Sequence, residues 1–268
     1  MIDAAKLISA IPQLEQEIKR FKFLKEESKG IRVAVFGKYN HGKSTLLNAI
    51  IGKEVFKTSD KRETIKNQVY QHENIVWIDT PGLDADVTRK DDKEARDGAF
   101  TTADVLLLVH NLKAGELDKY EVQYYKSLMA QKKDFEKRIF LMLTQADQVT
   151  PEQQAQVVSV IKKQLPELTT FVVSATRYTK GLAENKSAFI ERSGMPETFK
   201  LFTKLSTEIP SLRNAEVLAL KQKIQKELER KREVILKELQ AIKDRMALDN
   251  TNYNVDVAKF TNLVQAKM

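Results

Sequence analysis

The apolar positions of residues 2–24 have the spacing of one face of a helix. They recur at intervals of four and three residues, which places them on a single narrow stripe. The members of the stripe are Leu7, Ile11, Leu14, Ile18 and Phe21. Pro12 interrupts this stretch and is expected either to start the main helix or to kink it. The chain therefore begins with a predicted amphipathic helical segment.

The pattern changes after Gly30, where short β-branched and apolar runs begin to recur. The first run, residues 31–36, predicts a buried strand. Further strands are predicted at residues 68–71, 75–78, 105–109, 139–143 and 171–173. Helix-length amphipathic stretches separate most of these runs, which predicts βαβ units and a mainly parallel sheet covered on both faces. The two runs on either side of residues 72–74 are the exception, because they are close enough to form an antiparallel hairpin.

The C-terminal part of the chain is predicted to be helical. A polar stretch at residues 182–195 has the composition of an insertion, and the last helix of the central domain is expected at residues 196–208, with Pro210 ending it. Residues 212–248 contain no glycine or proline and carry apolar side chains at helical spacing, which predicts one long projecting or bundle helix. A shorter helix is predicted at residues 255–266.

These patterns divide the chain into three parts. They are an N-terminal helix at residues 1–28, a central domain at residues 29–210, and a C-terminal helical segment at residues 211–268. The stripes of the first and last parts are both apolar, so we expect these two parts to pack against each other.

The composition excludes several kinds of chemistry. The chain has no cysteine, which excludes disulfides, thiolate zinc sites and cysteine nucleophiles. Its three histidines, His41, His72 and His110, do not have the spacing of metal ligands, so any metal is expected to bind to oxygen atoms. There is no stretch of 18 uncharged apolar residues, and the N-terminus lacks the order of a signal peptide. We therefore expect a cytoplasmic protein.

The net charge of +8 arises from 45 basic residues that are interleaved with 37 acidic ones. Such a mixture is typical of a solvated surface, whereas sites for nucleic acid or anionic membrane usually collect their basic residues in one place. The net charge alone therefore does not identify a binding partner.

The segment after the first predicted strand has the spacing G-x-x-x-x-G-K-[ST]. It comprises Gly37, Lys38, Tyr39, Asn40, His41, Gly42, Lys43, Ser44 and Thr45. The two glycines allow backbone N–H groups to converge on a phosphate, and the helix that opens at Lys43 adds the positive end of its dipole. Lys43 is then expected to reach the outer phosphates, while the Ser44 hydroxyl binds Mg²⁺. A strand before this loop and an apolar helix after it predict a P-loop NTPase fold, a three-layer αβα domain.

A second element, Asp79-Thr80-Pro81-Gly82, follows another predicted strand. A carboxylate at the carboxyl end of a strand beside the phosphate loop can hold Mg²⁺ together with Ser44, and the Gly82 N–H can approach the terminal phosphate. A plain turn capped by Asp79 would explain the same residues in isolation. Their occurrence together with the phosphate loop favours the metal site.

Two more predicted strands end in polar residues. Thr144-Gln145-Ala146-Asp147 follows one of them, and Ser174-Ala175 follows the other. The order of phosphate loop, threonine-bearing loop, DTPG, TQAD and SA resembles the translation-factor-related class of P-loop GTPases over residues 30–208. Within that class, Asn40, Leu83 and residues 46–52 are most similar to the Era-like, septin-like and dynamin-like branches, and we expect a bacterial dynamin-like GTPase.

The resemblance implies roles for these residues. Asp147 matches the aspartate that accepts two hydrogen bonds from the guanine ring, so GTP and GDP are the implied ligands. Gln145 stands where the family usually has a lysine that packs over the base, so GTP affinity is expected to be reduced or the base to be held differently. Thr144 in place of asparagine is similar to dynamin-like members. Ser174 and Ala175 either contact the guanine or simply end a strand.

Two switch segments are expected. The resemblance implies a threonine in residues 53–66 that contacts Mg²⁺ and the terminal phosphate only in the triphosphate state, and we choose Thr64. The preceding Lys61 and Arg62 either stabilise the transition state or are solvated loop charges. The second switch is expected to run from Thr80 into residues 84–97, where dense charge and the lack of apolar periodicity predict a mobile loop.

These features predict an enzyme that hydrolyses GTP to GDP and phosphate, with Lys43, Thr64 and Gly82 at the reacting phosphate. The implied cofactor is Mg²⁺. Asn40 either resembles the asparagine with which related GTPases bind K⁺ or simply tolerates an unusual loop conformation. We expect a dynamin-like switch whose partner is a second copy in a GTP-dependent dimer or a related GTPase, with a membrane surface as a further partner.

Two alternatives stay open. An Era-like GTPase would bind RNA or the ribosome through the basic C-terminal helix, although glutamates on the same helix match its lysines and arginines and make nucleic acid the less expected partner. A GTP-binding scaffold with negligible turnover is the other alternative, because Leu83 stands where a catalytic glutamine would follow Gly82.

Overall fold

A computed structural model of the chain describes residues 3–26, 30–57, 67–83, 90–131 and 138–266. The chain divides into two compact units. One unit spans residues 19–218, and the other comprises the residues up to Ile18 together with those from Ala219 onward.

The unit of residues 19–218 contains a six-stranded sheet in the spatial order β2-β3-β1-β4-β5-β6. The strands are β1 (Ile31–Gly37), β2 (Gln68–His72), β3 (Ile75–Asp79), β4 (Val105–Asn111), β5 (Arg138–Thr144) and β6 (Thr169–Val172). β2 and β3 pair antiparallel, while the other neighbouring strands of this sheet pair parallel. The predicted mainly parallel sheet and the predicted hairpin are both confirmed.

Nine α-helices lie in the part of the chain that the structure describes. They are α1 (Ala4–Ala10), α2 (Glu15–Glu26), α3 (Lys43–Ile51), α4 (Lys90–Thr102), α5 (Lys119–Gln131), α6 (Pro151–Gln164), α7 (Ala175–Ala183), α8 (Ser187–Glu191) and α9 (Met195–Gln265). Strands and helices alternate through the sheet-containing unit, which is the arrangement that buries both faces of a parallel sheet.

The core on one side of the sheet is formed by β1, β4, α3 and the first turns of α9. Val33 and Val35 of β1 are fully buried, as are Leu46 and Leu47 of α3. The rings of Trp77 and Phe202 pack edge to face with their centroids 4.9 Å apart. The helix that follows the phosphate loop is thus fixed to the sheet by its apolar face.

A buried ion network joins α2 and α9 to the start of β4 within the same unit. Arg20 donates two hydrogen bonds of 2.9 Å to Glu216 and one of 2.9 Å to Asp104. Arg213 Nε donates to the same Asp104 oxygen at 2.9 Å, and the Arg32 N–H donates to the other oxygen at 2.8 Å. Burial would raise the pKa of Asp104, but Arg213 and Arg20 outweigh it and hold this pKa below its usual value.

The unit of terminal residues is held together by apolar and polar contacts between its two segments. Ile11 and Ile18 are fully buried, and Leu220 and Ile224 of α9 are also buried. The polar contacts are hydrogen bonds of 2.7 Å from Gln13 to Glu227 and from Lys223 to Glu17. The division into residues 1–28, 29–210 and 211–268 stays a prediction.

The predicted helix boundaries in the C-terminal part are wrong. Pro210 lies inside α9, which continues to Gln265 without the breaks expected at residue 210 and between residues 248 and 255. Proline removes a single helical hydrogen bond, and buried Leu205 and Ile209 stabilise the turns before it. The polar residues 249–254 contain no glycine or proline, so nothing in them forces the helix to end.

The prediction of a mobile loop at residues 84–97 is wrong for residues 90–97, which belong to α4. Residues 84–89 of this predicted loop lie outside the described residues. The helix buries Arg96, Ala99 and Phe100. These positions lie in its C-terminal half, so the charged N-terminal half showed no apolar periodicity.

Among the described residues, no helix combines the length and the apolar character that crossing a membrane requires.

Candidate functional site

The predicted site residues lie at the carboxyl ends of β1, β3, β5 and β6. Val35 of β1 is opposite Asp79 of β3, and Asn111 of β4 is opposite Thr144 of β5. Because these strands are parallel, their ends meet at one edge of the sheet. This edge is where open α/β sheets bind ligands.

Backbone geometry explains both glycines of the phosphate loop. A Cβ atom on Gly37 would lie 2.3 Å from the carbonyl oxygen of Val109, so only glycine allows β1 to approach β4 this closely. Gly42 has a φ of +81° where α3 begins, and Asn40 has a φ of +58°. Both angles lie in the left-handed region, which glycine and asparagine adopt most readily. Left-handed residues of this kind are typical of loops that bind phosphate through their backbone N–H groups.

Lys43 and Ser44 open α3 beside the end of β3. The Lys43 ammonium donates a hydrogen bond of 2.9 Å to the carbonyl oxygen of Lys38, across the loop. The Ser44 hydroxyl donates one of 2.6 Å to Asp79 Oδ2. Burial raises the pKa of Asp79, while the Lys43 charge and the Ser44 hydrogen bond act in the opposite direction. The sequence predicted these three side chains as one group, and the structure brings them together.

The chemistry of this group fits Mg²⁺. Asp79 is only 2% exposed, and its Oδ1 atom has no hydrogen-bond partner among the described residues. A buried carboxylate oxygen without a partner is costly, and a hard cation would satisfy it. Ser44 and Asp79 are therefore the residues that would hold the ion.

The loop after Asp79 is tied to β1 on both sides of Gly82. The Thr80 hydroxyl donates a hydrogen bond of 2.6 Å to the carbonyl oxygen of Val35. The Leu83 N–H donates one of 3.1 Å to the carbonyl oxygen of Gly37. Leu83 is buried, so its side chain packs in the core and is not available to orient a water molecule. These bonds hold Gly82 close to the first residue of the phosphate loop.

The segment after β5 is fastened to the phosphate loop through two residues. The Thr144 hydroxyl donates a hydrogen bond of 2.6 Å to the carbonyl oxygen of His41. Gln145 has a φ of +57°, and its side-chain amide donates a hydrogen bond of 3.1 Å to the carbonyl oxygen of Asn40. Gln145 thus links the predicted base-binding segment to the phosphate loop by a contact that the sequence did not reveal.

Asp147 and Ser174 form a hydrogen-bonded pair. Ser174 is fully buried and donates a hydrogen bond of 2.5 Å to Asp147 Oδ1, while its oxygen accepts one from the Arg177 N–H. Asp147 lies in a short helical turn after β5 and is exposed to solvent. Ala175 is the first residue of α7. The exposed aspartate is therefore anchored by a hydrogen bond from the buried serine.

The remaining predicted residues are less informative. Tyr39 is half-buried and Thr45 is exposed on the first turn of α3. Thr64, Lys61 and Arg62 lie outside the described residues. The assignments of Lys43, Thr64 and Gly82 to catalysis, and of the other residues to nucleotide or Mg²⁺, stay predictions.

A set of polar residues that the sequence did not predict supports the phosphate loop from the side of α5. Lys38 forms an ion pair with Asp118 and lies 3.7 Å from Glu121. Asp118 and Glu121 cap each other at the start of α5, since each backbone N–H donates to the other's carboxylate. The spacing D-x-x-E was a visible sign of this cap. Nothing in the sequence signalled that His110 contacts Glu121, because that contact depends on the packing of β4 against α5.

A sequence model of the 50S ribosome-binding GTPase family matches residues 32–236. The chain belongs to this family. The matched range includes the phosphate loop, Asp79, Asp147 and Ser174. The predicted P-loop GTPase family and its α/β fold are therefore confirmed.

Relatives of this GTPase include proteins from several bacteria. An uncharacterised protein of Acinetobacter baylyi is 37% identical over 213 residues, which cover 79% of this chain and 51% of that protein. GTPase Era of Lactobacillus helveticus is 31% identical over 131 residues, which cover 47% of this chain and 42% of Era. The chain thus spans about half the length of the curated relatives that it matches.

One solved structure with a similar fold is that of an oligomerised bacterial dynamin pair, described as a mechanism for long-range sensing and tethering of membranes. It aligns with 98% of this chain and 50% of its own, with a TM-score of 0.57 and 17% sequence identity. At this identity, the similarity shows the fold alone.

Proposed function

We propose that this member of the GTPase family binds and hydrolyses GTP as a dynamin-like switch, and that the nucleotide controls its self-association. The observation that carries the proposal is the convergence of three groups on one edge of the sheet. They are the phosphate loop with Lys43, the Ser44–Asp79 pair and the Asp147–Ser174 pair. One group suits the phosphates, one the metal and one the guanine.

Binding of the triphosphate follows from the loop and its lysine. The backbone N–H groups at the start of α3 supply partial positive charge, and Lys43 supplies a full charge. Lys43 is buried, and its ammonium donates a hydrogen bond to the Lys38 carbonyl oxygen across the loop. An anionic oxygen is a stronger acceptor than that carbonyl, so the ammonium would exchange one acceptor for the other.

Mg²⁺ bound by Ser44 and Asp79 would offset the negative charge that builds up on the phosphate oxygens. The protein's own part is to hold the acceptor oxygens in place, because Asp79 is buried at the end of a paired strand. Gly82, whose neighbours Thr80 and Leu83 are hydrogen-bonded to β1, would bring its N–H to the terminal phosphate.

The reaction breaks the bond between the terminal phosphorus and its bridging oxygen, and water supplies the new oxygen. The buried Leu83 side chain cannot orient that water. Additional positive charge would therefore stabilise the transition state. We propose that the exposed Asn40, whose backbone has a φ of +58° and accepts a hydrogen bond from Gln145, would help to hold a K⁺ ion that supplies this charge.

Self-association is supported by the exposed face of α9. From residue 235 onward, apolar side chains recur at intervals of four, three or seven residues and are each at least 44% exposed. They are Ile235, Leu239, Ile242, Met246, Tyr253, Val257, Phe260 and Val264. This spacing is that of a coiled-coil seam, and a second copy of the helix would cover it.

An Era-like function is the second candidate, because the Era relatives are 31–35% identical to this chain over the matched residues. Their matches cover only 45–47% of the chain. Era-like binding of RNA would use basic residues of α9, several of which pair with acidic neighbours or partners, as in the contacts Lys223–Glu17 and Arg230–Glu227. This pairing favours the dynamin-like function.

The test combines turnover with molecular mass. Phosphate release from GTP is measured for the wild type and for Lys43→Ala, and the mass in solution is measured with GDP and with a non-hydrolysable GTP analogue. We expect turnover by the wild type alone, and a larger species only with the analogue.

The same assay is repeated with anionic vesicles and with RNA. Stimulation by vesicles supports the dynamin-like function, and stimulation by RNA alone would replace it with the Era-like one. If the protein binds GTP tightly but releases no phosphate under any condition, its function is that of a GTP-binding scaffold. Unchanged GTP binding by Lys43→Ala would refute the site itself.

A further inference from the structure

Two histidines and a glutamate meet in a buried cluster beside the phosphate loop. His41 belongs to the loop, His110 to the end of β4, and Glu121 to the first turn of α5. One potential ligand atom from each residue lies within 4.8 Å of the other two. All three residues are buried. The fold thus brings together three residues whose sequence positions gave no metal-ligand spacing.

The two oxygens of Glu121 have different surroundings. Oε1 lies 2.8 Å from His110 Nδ1 and 3.5 Å from His41 Nδ1. Oε2 accepts a hydrogen bond of 3.3 Å from the Asp118 N–H and lies 3.7 Å from the Lys38 ammonium. Lys38 is itself paired with the Asp118 carboxylate, which offsets its charge. One carboxylate oxygen is therefore engaged by the cap of α5, and the other faces the imidazoles.

The ring of His110 is oriented by its second nitrogen. His110 Nε2 lies 2.9 Å from the carbonyl oxygen of Gly115, which fixes the ring and points Nδ1 at Glu121. A backbone carbonyl on the remote nitrogen is the usual support of a metal-binding histidine, because it sets the tautomer and raises the basicity of the ligand nitrogen.

His41 provides a buried nitrogen that nothing in the described residues satisfies. The residue is 8% exposed, and its Nδ1 atom has no hydrogen-bond partner. Its ring packs edge to face on His110, with centroids 4.9 Å apart. Burial and the neighbouring His110 lower the pKa of His41 to about 4, so the ring is neutral near pH 7. A neutral imidazole has a lone pair for a metal ion.

We propose that His41 Nδ1, His110 Nδ1 and Glu121 Oε1 form a binding site for a transition-metal ion of the Zn²⁺ class. Two imidazole nitrogens and one carboxylate oxygen are a common zinc donor set, with the fourth position left to water. Ideal tetrahedral zinc places its ligand atoms about 3.3 Å apart, given bond lengths near 2.0 Å. The observed separations of 2.8 and 3.5 Å lie on either side of this value.

The donor set separates this site from the proposed Mg²⁺ site. Imidazole suits zinc and related ions, whereas Mg²⁺ prefers oxygen ligands such as Ser44 and Asp79. The bound ion would join the phosphate loop to β4 and α5, and it would replace the proton between His110 and Glu121. Zn²⁺ binding at this site would not depend on GTP hydrolysis.

The experiment measures metal binding by nucleotide-free protein in excess Mg²⁺. Zn²⁺ is titrated calorimetrically, and Co²⁺ is added separately while its visible absorption is recorded. We expect one equivalent of Zn²⁺ per chain and the intense Co²⁺ bands of a tetrahedral nitrogen and oxygen site. His41→Asn should weaken Zn²⁺ binding at least about ten-fold, since it removes one of three ligands.

His72→Asn is the matched control, because His72 lies on β2, outside the cluster. It should bind Zn²⁺ like the wild type, as should Asp79→Asn. Glu121→Gln gives an independent loss of one ligand, and thermal unfolding of each variant verifies that it is folded. The proposal is overturned if the wild type binds no Zn²⁺, if His41→Asn and Glu121→Gln bind it as tightly as the wild type, or if only His72→Asn or Asp79→Asn loses it.

Discussion

Ser174 Oγ lies 2.5 Å from Asp147 Oδ1 and donates a hydrogen bond to it. Ser174 is fully buried, and its own N–H is bonded to the carbonyl oxygen of Ser193. The sequence left open whether Ser174 contacts the guanine or only ends a strand. The geometry favours a third role, in which the serine orients the aspartate that would read the base.

Replacing Ser174 with alanine should therefore weaken guanine-nucleotide binding without abolishing it. A hydrogen bond to a charged group contributes about 1.5–3 kcal/mol, so we expect GDP affinity to fall roughly ten-fold or more. Calorimetric titration of GDP measures the effect. Ser211→Ala is the control, because the exposed Ser211 hydroxyl bonds only to its own helix in the contacts that are described. A Ser174→Ala variant with wild-type affinity would show that Asp147 needs no such support.

Asp147→Asn should change which nucleotide is preferred. The amide offers a donor where the carboxylate offered an acceptor, so GTP should bind more weakly and xanthosine triphosphate more tightly. Competition of both nucleotides for the same protein measures the ranking. If the ranking is the same for the variant and the wild type, then Asp147 does not read the base, and Gln145 belongs to a different kind of pocket.

The fold was predictable where local pattern and buried position agree. β1, the phosphate loop and the hairpin of β2 and β3 follow from apolar runs and glycine spacing alone. α9 was not predictable in the same way, because Pro210 is a local signal for a break, and the packing of Leu205 and Ile209 outweighs it. Local patterns cannot report contacts between residues that are far apart in the sequence.

The site shows the same division. The Ser44–Asp79 pair was predictable because both residues lie in motifs whose chemistry demands that they meet. Gln145 was recognised as a departure from the family pattern, but its bond to the Asn40 carbonyl depends on the left-handed turns at both residues. His110 gave no signal at all, since its role depends on how β4 packs against α5.

Asp104→Asn should destabilise the protein in a pH-dependent way. The folded-state pKa of Asp104 lies below its unfolded value, so its contribution is fully present above the unfolded pKa of about 3.9 and is lost as the pH falls through the folded pKa. At neutral pH the variant leaves Arg20 and Arg213 without their shared carboxylate, which costs about 3–5 kcal/mol. The difference between variant and wild type should shrink below about pH 4.

Urea unfolding at a series of pH values measures this difference. Asp97→Asn on the exposed side of α4 is the control, and we expect its effect to be small throughout. A deficit of Asp104→Asn that persists unchanged in acid would mean that the loss comes from packing and not from the ionised carboxylate.

Potassium should accelerate GTP hydrolysis if Asn40 helps to hold the ion. Asn40 is exposed at the phosphate loop, its φ is +58°, and its carbonyl oxygen accepts a hydrogen bond from Gln145. Its backbone is thus fixed independently of the side-chain amide, which remains available to a cation. Hydrolysis should be several-fold faster in potassium chloride than in sodium chloride at equal ionic strength, because the smaller Na⁺ would not reach all of its ligands at once. Asn40→Gly should remove this difference, and it is a better test than alanine because glycine adopts the same φ without strain. Equal rates in both salts for the wild type, with GDP binding intact, would assign the missing charge to a second protein molecule instead.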